Sequence, residues 1–481
     1  MSASVLPAAW CRALCLSLVS ATALIGCGGG GGGGATAAAA LSSSPVPITS
    51  TPVPGSPTSA ATSAASTLRL SLPRRGLVAT DLAVIVAEGD ALSEAVGAYY
   101  QKARGIPAAN LIRVRLATGV AAISAAEFAT LKAEIDAKLP AGVQATLLTW
   151  TAPSRVAGAC SMSITSAIAL GFDTKYCGSS CTSTAASPLY DSESSQPWID
   201  HKIRPAMMLG SHTLAAAQAL IDRGVSADAS YPAGEGYLLR TTDAARSVRY
   251  ADQQPLPARW ASKLQLNYLD NSTGGGGDSL DGKRDLLFYF TGQAKVAHIA
   301  TNTFRPGAIA DHLTSYGGVL PGGNGQMPIT DWLEAGATAS FGTVEEPCNY
   351  TQKFSRASVL IDQYWRGATL IEAYWKSVEW PGQGLFIGEP LAQPFRDAPT
   401  FSIESGQYLI NTRALRPGSR YLLDYLTPGS SSWTTLASFS TAAAQAQSLR
   451  APLPPAEATQ IRWVGPCPGD ATRQCTLASS S

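Results

Sequence analysis

From residue 82 to residue 150 the chain alternates short apolar runs with helix-period segments, and this rhythm restricts the fold more than any other feature. The run LAVIV at 82–86 is bounded by Asp81 and Gly89, as a strand buried on both faces would be. Leu92, Val96, Tyr99 and Ala103 then fall on one helical face, and Gly105-Ile106-Pro107 ends that helix. Residues 111–114 read as a second strand. Ser124 and Glu127 have the spacing of a capping box, ahead of a helix through Phe128, Leu131 and Ile135. Residues 145–150 read as a third strand. Strand–helix–strand at this spacing predicts an α/β fold with a mostly parallel sheet and flanking crossover helices.

The rhythm resumes after a loop-rich stretch at 171–200. Strands are expected at 206–209, 236–239, 286–290, 337–344 and 385–387. Helices are expected at 214–223, around Trp332 and Leu333, and at 368–378. The aromatic pairs Tyr364-Trp365 and Tyr374-Trp375, with Trp380, read as core. Asn271 to Asp278 encloses four glycines but lacks the Gly-Lys-Ser/Thr ending of a phosphate loop, so it reads as a turn. After Phe395 the texture changes. Residues 401–441 alternate around Tyr408, Ile410, Tyr421, Leu423 and Tyr425, with Pro-Gly turns at 417–418 and 428–429. A small antiparallel β-sandwich closing near Trp463 is expected there.

The N-terminus reads as a targeting segment. Arg12 precedes an apolar run too short to span a membrane as a mature helix, and the run ends in Leu24-Ile25-Gly26-Cys27. This resembles a bacterial lipobox, in which the Cys27 thiol carries the lipid. Gly28 after it, rather than Asp, points to the outer membrane, facing the periplasm or the cell surface. Residues 28–67 are mostly Gly and then Ala, Ser, Thr and Pro, a composition that cannot bury a core. Four segments follow: a signal peptide at 1–26, a tether at 27–67, an α/β domain at 68–395 and a β-sandwich at 396–481. Charged residues make up 14% of the chain and the net charge is +1, which provides no field for nucleic acid. The membrane, through the lipid, is the expected contact.

The chain has 9 cysteines. Cys11 and Cys15 leave with the signal, and Cys27 is the lipid site. In an oxidising compartment the other six invite disulfides. Cys467 and Cys475 are expected to pair. Cys160 is expected to bond Cys177 or Cys181, leaving the remaining one and Cys348 either joined or free. No His lies near the Cys177/Cys181 pair in sequence, so no metal is expected, and no cofactor.

Chemistry-bearing residues concentrate at 304–348. His298 and His312 flank the start of this block, and Asp311, Thr314, Ser315, Glu345, Glu346 and Cys348 lie within it. A hydroxyl or thiol nucleophile needs a base within hydrogen-bond reach and a group that orients the base. Asp311 and His312 are strand neighbours, so their side chains point to opposite faces and they are not a dyad by adjacency. His312 either serves as that base or satisfies a loop. Cys348 stands next to two glutamates, which disfavour a thiolate. Glu345 and Glu346 either bind a cation or act as a general base, or form a solvated loop. Arg240, Asp243, Arg246 and Arg249 follow a strand, with Asp243 and Arg246 spaced as a surface ion pair or a binding rim.

Several long strings resemble a bacterial family of uncharacterised exported proteins from species that carry exosortase, the enzyme proposed to sort PEP-CTERM surface proteins. They are LAVIVAEGDALSEAVGAYYQKARGIPAANLIRV, IRPAMMLGSHTLAAAQALIDRG, GYLLRTTDAARSVR, FRPGAIADHLTSYGG, WLEAGATASFGTVEEPCNYTQKF, GATLIEAYWKSVEWPGQG and LFIGEPLAQPF. More distantly, the chain resembles gingipain-type cysteine peptidases of caspase-like fold, followed by an Ig-like or fibronectin-III-like domain. In that resemblance residues 286–293 occupy the strand that ends in the catalytic His, and 308–315 the strand that ends in the catalytic Cys. Thr291-Gly292-Gln293 stands in place of Gly-His-Gly, and Thr314-Ser315 where Cys would be. The resemblance implies either a degenerate peptidase fold that holds polypeptide or sorting-signal segments, a peptidase rebuilt around Ser315, His312, His298 and Cys348, or a structural surface component. Gln293, Asp311, Thr314, Glu345, Glu346 and Arg246 are the expected binding residues.

Overall fold

The computed structural model describes residues 75–178, 181–441 and 447–477. The expected signal peptide, the lipid site at Cys27 and the tether lie outside the described residues. Strand β1 (Leu82–Ala87) is buried along its whole length. Asp90 caps helix α1 (Ala91–Arg104) by accepting the Ser93 amide, and Gly105 ends it in the left-handed region at φ 65°. Strands β2 (Leu111–Val114) and β3 (Ala122–Ser124) follow. Helix α2 (Ala125–Lys138) starts with both bonds of the Ser124–Glu127 capping box in place. Strand β4 (Ala145–Leu148) leads into the hairpin of β5 (Arg155–Ala157) and β6 (Ser161–Ser163), which pairs with β3 as a small separate sheet. Helices α3 (Ile164–Leu170) and α4 (Pro197–His201) precede β7 (Ala206–Met208) and α5 (Leu214–Ala227).

The second series begins with β8 (Glu235–Arg240), the short helices α6 (Tyr250–Gln253) and α7 (Leu256–Trp260), and β9 (Gln265–Asp270). Strands β10 (Leu286–Gly292) and β11 (Phe304–Leu313) come next, then α8 (Thr330–Glu334) and β12 (Ala339–Thr343). Helices α9 (Ala357–Trp365) and α10 (Leu370–Ser377) lead to β13 (Gly384–Gly388). The ten main strands form one sheet in the order β2-β1-β4-β7-β13-β12-β11-β10-β8-β9. All neighbours are parallel except β12 and β13, so two five-stranded parallel halves of opposite direction meet at that pair.

Strand β13 is last in sequence but central in space, a placement that local periodicity does not announce. It is held there by Glu389, which is fully buried just past its end. Tyr100 and Arg104 of α1 both bond that carboxylate, with Arg104 Nε at 2.9 Å. A buried carboxylate left without these donors would destabilise the fold, so the contact specifies where β13 enters.

Each half contains one point where strand order reverses. The chain leaves β1 for β2 on one side and returns to β4 on the other. It likewise leaves β8 for β9 and returns to β10. In open α/β sheets the crevice beyond the strand ends at such a reversal is where ligands bind.

The C-terminal residues form two antiparallel sheets. One orders β14 (Thr400–Glu404), β15 (Gln407–Thr412) and β18 (Gln447–Pro452). The other orders β17 (Thr434–Ser440), β16 (Arg420–Leu426), β19 (Gln460–Cys467) and β20 (Asp470–Thr476). Tyr408, Ile410 and Leu449 from the first share a core with Tyr421, Leu423 and Trp463 from the second. Arg416 ties these sheets to the α/β body through Asp191 and, at 3.0 Å, Glu193. Three cysteine pairs lie at disulfide distance: Cys160 with Cys177, Cys181 with Cys348, and Cys467 with Cys475, with Cα separations of 5.8, 5.3 and 4.8 Å. Among the described residues no helix is long and apolar enough to cross a membrane.

Candidate functional site

The reversal between β8 and β10 is filled by the chain itself. The turn after β8 folds back over the strand ends, and the Thr241 hydroxyl donates to the Gly292 carbonyl at 2.7 Å. Arg246 packs so closely on Gly292 that a Cβ there would stand 2.0 Å from the Arg246 carbonyl oxygen. Arg249 turns inward. Its Nη1 lies 2.7 Å from Asp311 Oδ1, and its Nη2 donates to the Thr291 carbonyl at 2.8 Å. The Ser355 hydroxyl donates to the other Asp311 oxygen. Burial raises the Asp311 carboxyl above the usual range, against the pull of Arg249 and Ser355. The sequence groups Arg249 with Arg240, Asp243 and Arg246 as a charged cluster that reads as a surface ion pair or a binding rim. The Arg249 guanidinium is instead part of the interior, with side-chain exposure of 6% beside 1% for Asp311.

The other residues singled out from sequence occupy separate surroundings. His312 points to the opposite face of β11 from Asp311. The Trp332 indole N–H donates to its Nδ1 at 2.9 Å, so the proton of the neutral ring sits on Nε2. Nε2 lies toward the Met327 carbonyl outside hydrogen-bond geometry. Burial, and then the charge of Arg249, push the His312 pKa down to about 3. This ring is a hydrogen-bond acceptor for Trp332. His298 is exposed in a left-handed turn at φ 59°, where its carbonyl accepts from Thr301 and Asn302. The Ser315 carbonyl accepts from Thr343, and its hydroxyl makes no hydrogen bond among the described residues. Cys348 is paired with Cys181. Among the described residues no hydrogen bond or ring contact joins any two of His298, His312, Ser315 and Cys348.

A polar rim does form at the ends of β11 and β12. Thr314 accepts from Arg246 Nε at 3.3 Å and donates to Gln326 at 2.7 Å. Arg246 also pairs with Asp243 at 2.7 Å, as the spacing predicts. Gln293 turns its amide nitrogen toward the carbonyls of Asp278 and Lys295. Glu346 accepts the Cys348 amide at 2.8 Å, and Glu345 accepts the Glu346 amide at 3.3 Å. Burial, followed by Glu346 and Glu345, pushes the Tyr316 phenol up, so the two acids face Tyr316. Lys353 lies buried close by, and burial lowers its amine to about 8 against the opposing charge of Glu346.

Two further places hold functional groups that the sequence reading missed. Ser192 and His201 approach to 3.1 Å, beside a cavity of about 350 Å³ between the α/β body and the C-terminal sheets. The Ser192 hydroxyl donates to the Pro468 carbonyl, so it accepts from His201 Nε2–H and is not activated as a nucleophile. The other place is the reversal between β1 and β4. A cavity of about 220 Å³ opens there, lined among others by Asp90, Thr118, Thr149, Trp150, Ser211 and His212. Its residues come from the turns after β1, β2, β4 and β7, and Pro321 arrives from the connection after β11. No short motif marks it.

Among the described residues no group of three or more His, Cys, Asp or Glu side chains is placed to hold a metal ion. No family model, curated protein or solved structure matches the chain.

Proposed function

We propose that this chain is a lipid-anchored protein of the bacterial cell envelope that binds a polypeptide without cleaving it. Its α/β body reads as a caspase/gingipain-like domain and its C-terminal sheets as an Ig- or fibronectin-III-like sandwich. The observation that carries the reading is the closed end of β10 and β11. Where a peptidase of that kind would present a nucleophile and its base, Arg249, Asp311 and Ser355 form a buried hydrogen-bonded set. Two features support the peptidase-like comparison. Strands β10 and β11 are adjacent and parallel, and Gly292 pairs with Leu313 at their ends. The two C-terminal sheets share one core. The rim of Arg246, Thr314, Gln293, Glu345 and Glu346 provides donors and acceptors for an extended peptide, and the sorting tail of an exported surface protein is the partner of choice.

The test uses the full-length protein in membranes. Serine- and cysteine-directed activity probes are expected to leave Ser315 and Cys348 unlabelled. A synthetic sorting-tail peptide is expected to bind saturably, and more weakly to Arg246→Ala and Glu346→Gln. Stoichiometric labelling of Ser315, or cleavage of the peptide, would overturn the non-catalytic reading. Unchanged peptide binding in both variants would overturn the proposed rim.

A further inference from the structure

The cavity between β1 and β4 combines three observations. It sits at the strand-order reversal, beyond the C-terminal ends of parallel strands, where the fold leaves a crevice. Its polar groups are partly unspent. Asp90 accepts the Ser93 amide at 2.8 Å and the Thr118 hydroxyl, which leaves lone pairs on both carboxylate oxygens. The Ser211 hydroxyl and the His212 ring make no hydrogen bond among the described residues, while Thr151 donates to the Ser211 carbonyl at 2.8 Å. The third observation is an aromatic wall: Trp150 is 3% exposed and lines the cavity.

The lining also selects the chemistry of a ligand. No lysine or arginine reaches the cavity, and one carboxylate does, so an anion would meet repulsion without a counter-charge. Leu92, Trp150, Ala152 and Pro321 provide apolar wall between the hydroxyls. Alternating apolar surface, hydroxyls, one carboxylate acceptor and one imidazole match a neutral molecule with several hydroxyl groups. The volume of about 220 Å³ lies below the roughly 300–1,000 Å³ usual for drug-sized ligands, so one ring fits better than a chain.

We infer that the β1/β4 cavity binds a single neutral sugar ring. Asp90 accepts two ligand hydroxyls, the Trp150 ring lies against the apolar face of the sugar, and Ser211 and His212 close the open side. Thr149 holds the floor. Its hydroxyl lies 2.6 Å from Ser93 Oγ and donates to the Ile85 carbonyl at 3.1 Å, so it positions β4 against α1. This site is independent of the polypeptide-binding reading, because it lies on the other half of the sheet.

The test is calorimetric titration of the full-length protein with glucose, galactose, mannose and N-acetylglucosamine, each repeated in the presence of acetate or inorganic phosphate. At least one sugar is expected to bind saturably, with neither anion competing. Asp90→Asn keeps a good helix cap, because Asn caps as well as Asp, and is expected to weaken binding at least tenfold with an unchanged melting temperature. Thr118→Val, in a partly exposed loop, is expected to weaken it several-fold. Lys263→Ala, exposed on the other half just past α7, is expected to leave it unchanged. Absence of saturable binding by every sugar, competition by phosphate or acetate, or wild-type affinity in both Asp90→Asn and Thr118→Val would overturn the proposal.

Discussion

The two halves of the sheet reverse strand order in the same way and use the reversal differently. Between β1 and β4 the crevice stays open, and its hydroxyls and carboxylate remain partly free. Between β8 and β10 the turn after β8 packs onto Gly292, and Arg249 drives into the interior to meet Asp311 and Ser355. The same topology thus yields a cavity in one half and a plug in the other. The difference comes from one inward-pointing arginine and its buried acceptors. A topological crevice is an opportunity that side chains either leave open or fill.

The most severe break of this comparison is Arg249→Ala. It strands the Asp311 carboxylate in the interior, and removing one partner of a buried pair costs about 3–5 kcal/mol. Chemical denaturation of the purified protein reads this, and Arg249→Met with Asp311→Leu is expected to recover most of the loss. In the open half, Thr149→Val removes two neutral hydrogen bonds and is expected to cost about 1–2 kcal/mol. Equal losses for Arg249→Ala and Thr149→Val would dissolve the contrast.

A second effect is pH-dependent. His312 is held neutral in the fold with a pKa near 3, below the ordinary value of 6.5. The unfolded chain therefore binds the extra proton first. The stability this contributes is complete above pH 6.5 and is lost as pH falls from 6.5 toward 3, by an amount on the order of a few kcal/mol. His312→Asn retains an acceptor for Trp332 and is expected to flatten that part of the stability–pH curve. An unchanged slope in the variant would mean that the ring is solvated.

The sharpest probe of the plug is a single added methyl group. Gly292→Ala places a methyl group against the Arg246 carbonyl, and such overpacking costs about 1–3 kcal/mol. The variant is expected to expose the turn at 243–249 to limited proteolysis while leaving the β1/β4 half intact. Simultaneous loosening of both halves would show that they do not behave as separate units.

The elements of the fold were legible where local chemistry is self-sufficient. The stripe of Leu92, Val96, Tyr99 and Ala103, the Ser124–Glu127 capping box and the apolar runs at 82–86 and 286–290 each signal their element from neighbouring residues alone. The opposite orientations of Asp311 and His312 followed from strand alternation. The antiparallel insertion of β13 was not legible, because Glu389 recognises Tyr100 and Arg104 almost 300 positions earlier in the chain. The inward turn of Arg249 was hidden for a similar reason. Spacing within a turn says nothing about depth, and its acceptors lie at Asp311, Thr291 and Ser355. The cavity between β1 and β4 was missed because five separate turns contribute to it. The order of strands and helices at 82–150 announces a parallel sheet, but it does not say which strands become neighbours, and so it leaves the reversal at β1 unannounced.

Amide hydrogen exchange of the full-length protein without ligand compares the two reversals directly. Amides of Thr241, Ser247, Thr291 and Gly292 are expected to exchange as slowly as those of the central strands, since these residues are buried in the turn or at the end of β10. Amides at 118–119, 151–152 and 211–212 are expected to exchange orders of magnitude faster, as the walls of an open crevice. Exchange at Thr241 and Ser247 as rapid as at 118–119 would contradict the closed second half, and with it the reading of that edge as a filled peptidase site.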